Sequence, residues 1–101
     1  MKKIINGKLY DTNTARLLAT YDSEYSKSDY EYYFEELYRK KTGEYFVYGK
    51  GGPNSHYAEY LKDVRQAGEG IRPMTEKDAK EWAELRLTAD EYIKIFGDVE
   101  E

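Results

Sequence analysis

The sequence predicts a small α+β domain, in which an antiparallel sheet of three to five strands is covered on one face by two or three helices. Pairs of apolar runs are joined by short glycine-containing turns, a pattern typical of β-hairpins. The last third of the chain places apolar residues at helical spacing behind threonines that suit N-caps. With 101 residues and no linker or repeat, residues 1–101 are expected to form one domain.

The first element is predicted to be a β-hairpin. Lys3 to Ile5 and Lys8 to Tyr10 are the two strands, and Asn6-Gly7 lies between them. An Asn-Gly pair favours a type I′ turn because both residues tolerate a positive φ angle.

The segment after this hairpin is predicted in three pieces. Asp11 to Thr14 offer side-chain caps for a short helical turn over residues 15–18. Residues 19–22 are expected to form another strand. The polar run Ser23 to Asp29 is expected to be a loop.

A tyrosine-rich hairpin dominates the middle of the chain, since residues 30–53 hold six of the twelve tyrosines. Phe34 to Lys40 and Glu44 to Tyr48 form the strongest predicted strand pair, with Gly43 in a left-handed turn position between them. The alternation of apolar and polar residues changes parity near Glu35-Glu36. This change predicts a β-bulge there.

The connection to the C-terminal helices has two predicted parts. Apolar residues recur at helical spacing over Asn54 to Val64, which predicts a short helix, and Gln66 to Gly70 is expected to be a flexible turn. Residues 71–74 are expected to be extended, because Pro73 disfavours a helical conformation at Arg72.

Two helices are predicted at the end of the chain. Thr75 caps the first, and Asp78 completes a capping box with it. Thr88 caps the second, with Glu91 in the equivalent position. Gly97 suits the C-terminal end of the second helix, because glycine adopts a positive φ angle without strain.

The composition limits the function classes that fit the chain. There is no cysteine and only one histidine, His56, so neither a thiolate zinc set nor a Cys–His pair is available. The carboxylates show no metal-ligand spacing. The glycine cluster over residues 49–52 lacks phosphate-loop spacing and is interpreted as a hairpin exit that needs either a positive φ angle or close backbone approach. We therefore expect no enzyme, with no catalytic, cofactor-binding or metal site.

The charge and the start of the chain bear on partners and location. The apolar run after Lys2-Lys3 is two residues long, too short for a signal peptide, and no stretch approaches a membrane span. A cytoplasmic protein is therefore expected. A net charge of −4 disfavours generic duplex binding, which depends on phosphate neutralisation. It favours contact with a basic protein surface.

The tyrosine-rich hairpin has two functional interpretations that stay open. In the first it contacts a protein, because tyrosine buries a large area with few rotatable bonds. The expected contact residues are Tyr30, Tyr32, Tyr33, Glu35, Glu36, Asp22, Glu24 and Asp29. In the second, sheet tyrosines stack on the bases of single-stranded nucleic acid. The cations for its phosphates would be Arg39, Lys40, Lys41 and Lys50.

Several motifs occur in a fixed order along most of the chain. Residues 2–8 are Lys-Lys-Ile-Ile-Asn-Gly-Lys, and residues 10–15 are Tyr-Asp-Thr-Asn-Thr-Ala. Residues 35–43 fit Glu-x-Leu-Tyr-Arg-x-Lys-x-Gly, and residues 49–58 fit Gly-x-Gly-Gly-Pro-x-Ser-x-Tyr-Ala. Together with Ile-x-Pro-x-Thr-Glu at residues 71–76, this order resembles a group of small proteins carried by phages, plasmids and integrative elements of Firmicutes.

The resemblance implies a non-enzymatic inhibitor or regulator from a mobile genetic element, which binds a host defence protein. Proteins of this size from such elements include anti-CRISPR inhibitors of the type II effector nuclease. The implied partner is therefore that nuclease or its guide complex. The group has no agreed active site, so the resemblance assigns no functional residue.

Overall fold

The computed structural model describes residues 1–101 and confirms the predicted α+β class. Its elements in chain order are β1 Lys2–Ile5, β2 Lys8–Asp11, β3 Arg16–Asp22, β4 Tyr33–Arg39, β5 Tyr45–Gly51, β6 Glu59–Leu61, β7 Val64–Gln66, β8 Gly68–Met74, α1 Glu76–Arg86 and α2 Ala89–Phe96. The central antiparallel sheet has the strand order β3-β4-β5-β8. The β1-β2 and β6-β7 pairs are separate two-stranded hairpins.

One face of the central sheet, called the helix face, carries the main apolar core. Leu37 and Val47 lie directly opposite one another on β4 and β5 and are fully buried. The buried residues Ala79, Trp82 and Ala83 of α1 pack onto this pair. Their i, i+3, i+4 spacing explains why one stripe of α1 meets the sheet.

The opposite face, called the outer face, is covered at one end by the first hairpin. Tyr38 and Phe46 stack there with ring centroids 5.1 Å apart, and Tyr10 of β2 meets Phe46 edge-on at 5.5 Å. Asn6 and Gly7 both have positive φ angles, 51° and 77°, which confirms the predicted type I′ turn. The hairpin therefore seals the end of the outer face near Tyr38.

Both C-terminal helices have the predicted caps. Thr75 and Thr88 accept hydrogen bonds from the backbone of Asp78 and Glu91, whose side chains bond back to the cap residues. Gly97 ends α2 with a φ angle of 91°. Neither helix has the length and apolar character that crossing a bilayer requires.

Two predictions on β3 and β4 are wrong. Residues 15–18 do not form a helical turn, because β3 begins at Arg16 and pairs with β4 from that residue. The predicted bulge at Glu35-Glu36 is absent, and the register irregularity lies in β3 between Leu17 and Ala19. Apolar residues occur at both odd and even positions of β4 because both faces of this strand bury rings or apolar side chains. The sequence therefore shows no single alternation of apolar and polar residues along β4.

The helix predicted over residues 54–64 and the flexible turn predicted over residues 66–70 are also wrong. Residues 59–66 form the β6-β7 hairpin, which turns at Lys62 and Asp63 with φ angles of 50° and 68°. Residues 68–70 belong to β8, whose pairing with β5 runs unbroken from Gly68 to Met74. The prediction that residues 71–74 are extended is confirmed.

Residues 52–58 form a loop that lies on the glycine-rich end of the helix face. A Cβ atom on Gly49 would overlap the Tyr57 ring, and one on Gly51 would overlap the Ser55 side chain. The Ser55 hydroxyl donates to the Gly52 carbonyl at 2.8 Å and accepts from the Tyr57 N–H at 3.2 Å. Of the two predicted reasons for the glycine cluster, close backbone approach is confirmed, and none of its glycines has a positive φ angle.

Gly49→Ala is expected to destabilise the protein by about 1–3 kcal/mol, because the new methyl group displaces the Tyr57 ring. Gly70 is the matched control, since it lies directly opposite Gly49 on β8 and a Cβ there meets nothing within 4 Å. Gly70→Ala is expected to be neutral or slightly stabilising. Urea denaturation measures both variants, and equal stabilities would contradict this account of Gly49.

Candidate functional site

A buried carboxylate, Glu35 of β4, joins the helix, the loop and the sheet on the helix face. Its side chain has no exposed surface. Trp82 Nε1 donates to Oε1 at 3.0 Å, and Arg86 Nε donates to the same oxygen at 2.9 Å. The Tyr57 hydroxyl donates to Oε2. Both carboxylate oxygens are thus satisfied, as a buried charge requires.

An arginine and a histidine also lie near Glu35. Arg72 lies 3.9 Å from its Oε2, and His56 Nε2 lies 3.5 Å from the same oxygen. Burial acts to raise the pKa of Glu35, but the hydrogen bonds and the arginine charges outweigh it, so the pKa lies below its ordinary value of 4.5. Burial, and then the hydrogen bond to Glu35, raise the pKa of Tyr57. The pair is therefore an ionised carboxylate and a neutral phenol at neutral pH.

The geometry of the Glu35 cluster suits structural support. A general base needs an oxygen within reach of a substrate proton, whereas both oxygens of Glu35 are engaged inside the fold. No group of three His, Cys, Asp or Glu side chains comes together to hold a metal ion. The cluster connects α1 to the sheet and to the loop over residues 52–58.

The uncovered end of the outer face places aromatic rings beside carboxylates. Phe34 and Tyr48 are half-buried and pack edge to face, with ring centroids 6.1 Å apart. The Tyr48 hydroxyl donates to Glu69 at 3.2 Å, and the Tyr32 hydroxyl donates to Asp22 at 2.6 Å. This surface, the acidic aromatic face, consists of Asp22, Tyr32, Phe34, Glu36, Tyr48 and Glu69.

The carboxylates near the tyrosines stabilise the neutral form of each phenol. Burial, followed by the charge of Glu69, raises the pKa of Tyr48. The hydrogen bond to Asp22 raises the pKa of Tyr32. Each pair therefore presents an apolar ring with a fixed negative charge at its tip. Rings and carboxylates in this arrangement suit guanidinium and ammonium groups.

The loop over residues 23–32 extends the negative charge beyond the sheet. Glu24, Asp29 and Glu31 are exposed, and the Asp29 side chain accepts from the Glu31 N–H at 2.8 Å. Tyr30 is 67% exposed, while its carbonyl accepts from the Asn54 N–H at 2.8 Å. The loop is therefore tied to the rest of the fold while its ring and carboxylates face solvent.

The structure divides the expected contact residues between two faces. Six of them lie on the outer face or its adjoining loop: Asp22, Glu24, Asp29, Tyr30, Tyr32 and Glu36. Tyr33 points to the helix face, where it packs edge-on against His56 at 4.7 Å. The expectation that Glu35 contacts a partner is wrong, because strand alternation places its side chain inside the fold.

Phe34, Tyr48 and Glu69 belong to the acidic aromatic face but are missing from the expected set. Phe34 lies on the same face of β4 as Glu36, and Tyr48 lies directly opposite Glu36 on β5. Strand alternation and the hairpin register would therefore have identified both residues from the sequence. Glu69 had no signal of this kind, because its segment resembles a turn in sequence.

Three of the four expected cations, Arg39, Lys40 and Lys41, lie apart from the exposed rings, whereas the exposed Lys50 lies between Phe34 and Glu69 on the acidic aromatic face. Lys40 and Lys41 follow the end of β4 that is opposite to Tyr33, about 20 Å away at the usual rise of a strand. Lys40 lies 4.3 Å above the Tyr10 ring and 3.4 Å from Glu44. A single site that combines all four cations with the exposed rings is therefore not favoured by the geometry, because only Lys50 lies beside the rings.

Comparison with protein-family models, with curated proteins and with solved structures finds no match for this chain. The Glu35 cluster supports the fold, and the acidic aromatic face is exposed to solvent.

Glu35→Gln is expected to lower the free energy of unfolding by about 3 kcal/mol, because Arg86 loses its buried counter-charge. Glu36→Gln is the matched control, since the neighbouring residue carries the same charge on the outer face. It is expected to change stability by less than about 1 kcal/mol. Thermal and urea denaturation measure both variants, and similar losses in the two would contradict the central role of Glu35.

The stability that Glu35 provides is expected to depend on pH. Because its pKa is lower in the folded than in the unfolded chain, the ionised group stabilises the fold above pH 4.5, and this stabilisation is lost as the pH falls through the folded-state pKa. The stability difference between wild type and Glu35→Gln should therefore shrink between neutral pH and pH 3. A difference that stays constant over this range would contradict the lowered pKa.

Proposed function

We propose that this chain is a non-enzymatic inhibitor or regulator that binds a basic surface of another protein through the acidic aromatic face. The pairing of half-buried rings with ionised carboxylates at the uncovered end of the sheet supports this proposal. Such a surface combines apolar area with negative charge. It therefore matches a protein surface on which arginine or lysine side chains lie among apolar groups.

The acidic aromatic face is already ordered before binding. Hydrogen bonds from Tyr32 and Tyr48 fix two of its carboxylates, and the β4-β5 pairing fixes the spacing of its rings. A rigid surface loses less conformational entropy on binding than a flexible one. The carboxylates would speed association, and the buried rings would slow dissociation.

A nucleic-acid-binding groove is the kind of basic surface that this face fits. Such a groove carries cations placed to neutralise phosphates, and the three carboxylates of the acidic aromatic face present similar negative charge. Together with the resemblance to mobile-element proteins, this makes a type II CRISPR effector nuclease, or its guide complex, the proposed partner. Occupation of the groove would inhibit the nuclease stoichiometrically.

Surface plasmon resonance with the nuclease, free and loaded with guide RNA, tests the proposal. A complex at or below micromolar concentration is expected, with an association rate that falls as salt rises. Absence of binding to both forms at micromolar concentration would exclude this nuclease as the partner.

A charge-removing variant of the face locates the contact. Asp22→Asn/Glu36→Gln/Glu69→Gln is expected to slow association several-fold and to weaken its salt dependence. Glu84→Gln/Asp98→Asn/Glu100→Gln is the matched control, since it removes three exposed carboxylates on α1 and the C-terminal segment. Equal effects of the two triple variants would show that net charge, rather than the face, governs binding.

Removal of a ring tests the aromatic part of the contact. Phe34→Ala is expected to cost about 2 kcal/mol of binding free energy, about 30-fold in Kd, mostly through faster dissociation. Tyr60→Ala is the control, because this ring is 69% exposed on the separate β6-β7 hairpin. A greater loss for Tyr60→Ala than for Phe34→Ala would place the contact on that hairpin.

A further inference from the structure

A second charged surface lies at the end of the sheet opposite to the acidic aromatic face. Arg16 begins β3 and lies directly opposite Arg39, the last residue of β4, and Lys41 follows in the β4-β5 turn. All three side chains are exposed. They line a cleft of about 400 Å³, called the basic cleft, with Thr14, Ala15, Lys40 and Gly43.

The Arg16–Arg39 pair is electrostatically unfavourable within the fold. Like charges directly opposite one another on antiparallel strands destabilise the sheet, and neither guanidinium takes part in an ion pair. Arg39 is nevertheless held in place, because it lies 5.0 Å above the Tyr45 ring and donates from Nε to the Gly43 carbonyl at 3.2 Å. Its remaining N–H donors are left for another acceptor.

The carboxylates nearest to the basic cleft already have partners. Glu44 lies 3.1 Å from Lys8 and 3.4 Å from Lys40, so two lysines balance its charge. Glu91, which lines a neighbouring groove with Arg16 and Arg39, accepts the Thr88 N–H at 2.9 Å as part of the α2 cap. Three cations of the cleft, Arg16, Arg39 and Lys41, therefore take part in no ion pair, and the single charge of Glu91 offsets only part of theirs.

We infer that the basic cleft binds the phosphate backbone of single-stranded nucleic acid. Planar guanidinium groups bind phosphate through paired hydrogen bonds, and the juxtaposed arginines and Lys41 supply three cations to neighbouring phosphates. The cleft is a local concavity on an acidic chain, which fits one strand better than a duplex. The nearby rings of Tyr10, Tyr38 and Phe46 are buried, so base stacking does not contribute and binding is independent of base sequence.

The acidic aromatic face does not prevent this interaction at physiological salt. The two ends of β4 are about 20 Å apart, whereas charges are screened beyond about 8 Å at physiological ionic strength. The inference also does not depend on the proposed protein partner, because binding to an oligonucleotide is measured with the chain alone.

Fluorescence anisotropy with a labelled 20-nucleotide oligouridine at 50 mM salt tests the inference. A Kd of about 1–100 μM is expected, with log K falling against log salt with a slope of about −2 for three phosphate contacts. Arg16→Gln/Arg39→Gln/Lys41→Gln is expected to weaken binding at least tenfold. Lys27→Gln/Lys62→Gln/Lys77→Gln, which changes net charge equally at exposed lysines elsewhere, should retain wild-type affinity within about threefold.

Several results would overturn the inference. These are no binding by the wild type at 50 mM salt, equal losses in the two triple variants, or equally tight binding of a duplex of the same length. Displacement of the oligonucleotide by polyglutamate of equal charge, at equal concentration, would assign the cleft to acidic peptides instead. If circular dichroism shows that the arginine variant is misfolded, Lys41→Glu in the exposed turn replaces it, and unchanged affinity in this variant would also overturn the assignment.

Discussion

The buried hydrogen-bonded charge of Glu35 is the constraint on which the arrangement of this protein depends. A carboxylate without exposed surface requires donors on every side, and it finds them in Trp82 and Arg86 of α1 and in Tyr57 of the loop over residues 52–58. These donors fix where the helix and the loop lie on the sheet. Gly49 of β5 follows from the same constraint, because only a residue without a Cβ leaves room for the Tyr57 ring.

The helices and the loop over residues 52–58 cover the helix face, whereas part of the outer face is exposed to solvent. Glu35 and Glu36 are identical in chemistry and adjacent in sequence, yet strand alternation sends one into the fold and the other to the outer surface. The outer face is further divided along the strands. Its Tyr38 end is closed by the first hairpin, and its Phe34 end stays open beside carboxylates. Arg16, Arg39, Lys40 and Lys41 collect around the β4-β5 turn, at the other end of the sheet from the open rings, and Lys50 alone of the hairpin cations lies beside Phe34.

The parts of the fold that the sequence predicts are those governed by local chemistry. The Asn6-Gly7 turn, the two capping boxes and the strand pair around Gly43 each depend on residues within a few positions of one another. The helix predicted over residues 54–64 fails because Tyr57 is held by Glu35, a contact 22 residues distant in sequence. The glycines of β8 similarly conceal a strand, since glycine has low β-propensity.

The acidic aromatic face and the Glu35 cluster also combine residues that local sequence predicts with residues that only distant contacts bring together. Strand parity groups Tyr32, Phe34 and Glu36 on one face from sequence alone, and hairpin register adds Tyr48. The burial of Glu35 is not predictable in this way, because carboxylates are ordinarily exposed and its donors on α1 lie 47 and 51 residues further along the chain. Glu69 joins the face only through the pairing of β5 with β8.

Hydroxyl-radical footprinting of the chain, with and without the nuclease bound, tests the central claim most directly, because it reports the solvent exposure of individual rings. The account predicts that oxidation of Tyr30, Tyr32, Phe34 and Tyr48 falls on binding, while oxidation of the distant Tyr60 is unchanged. Protection of Tyr60 with undiminished oxidation of the other four rings would contradict the assignment of the acidic aromatic face as the contact surface.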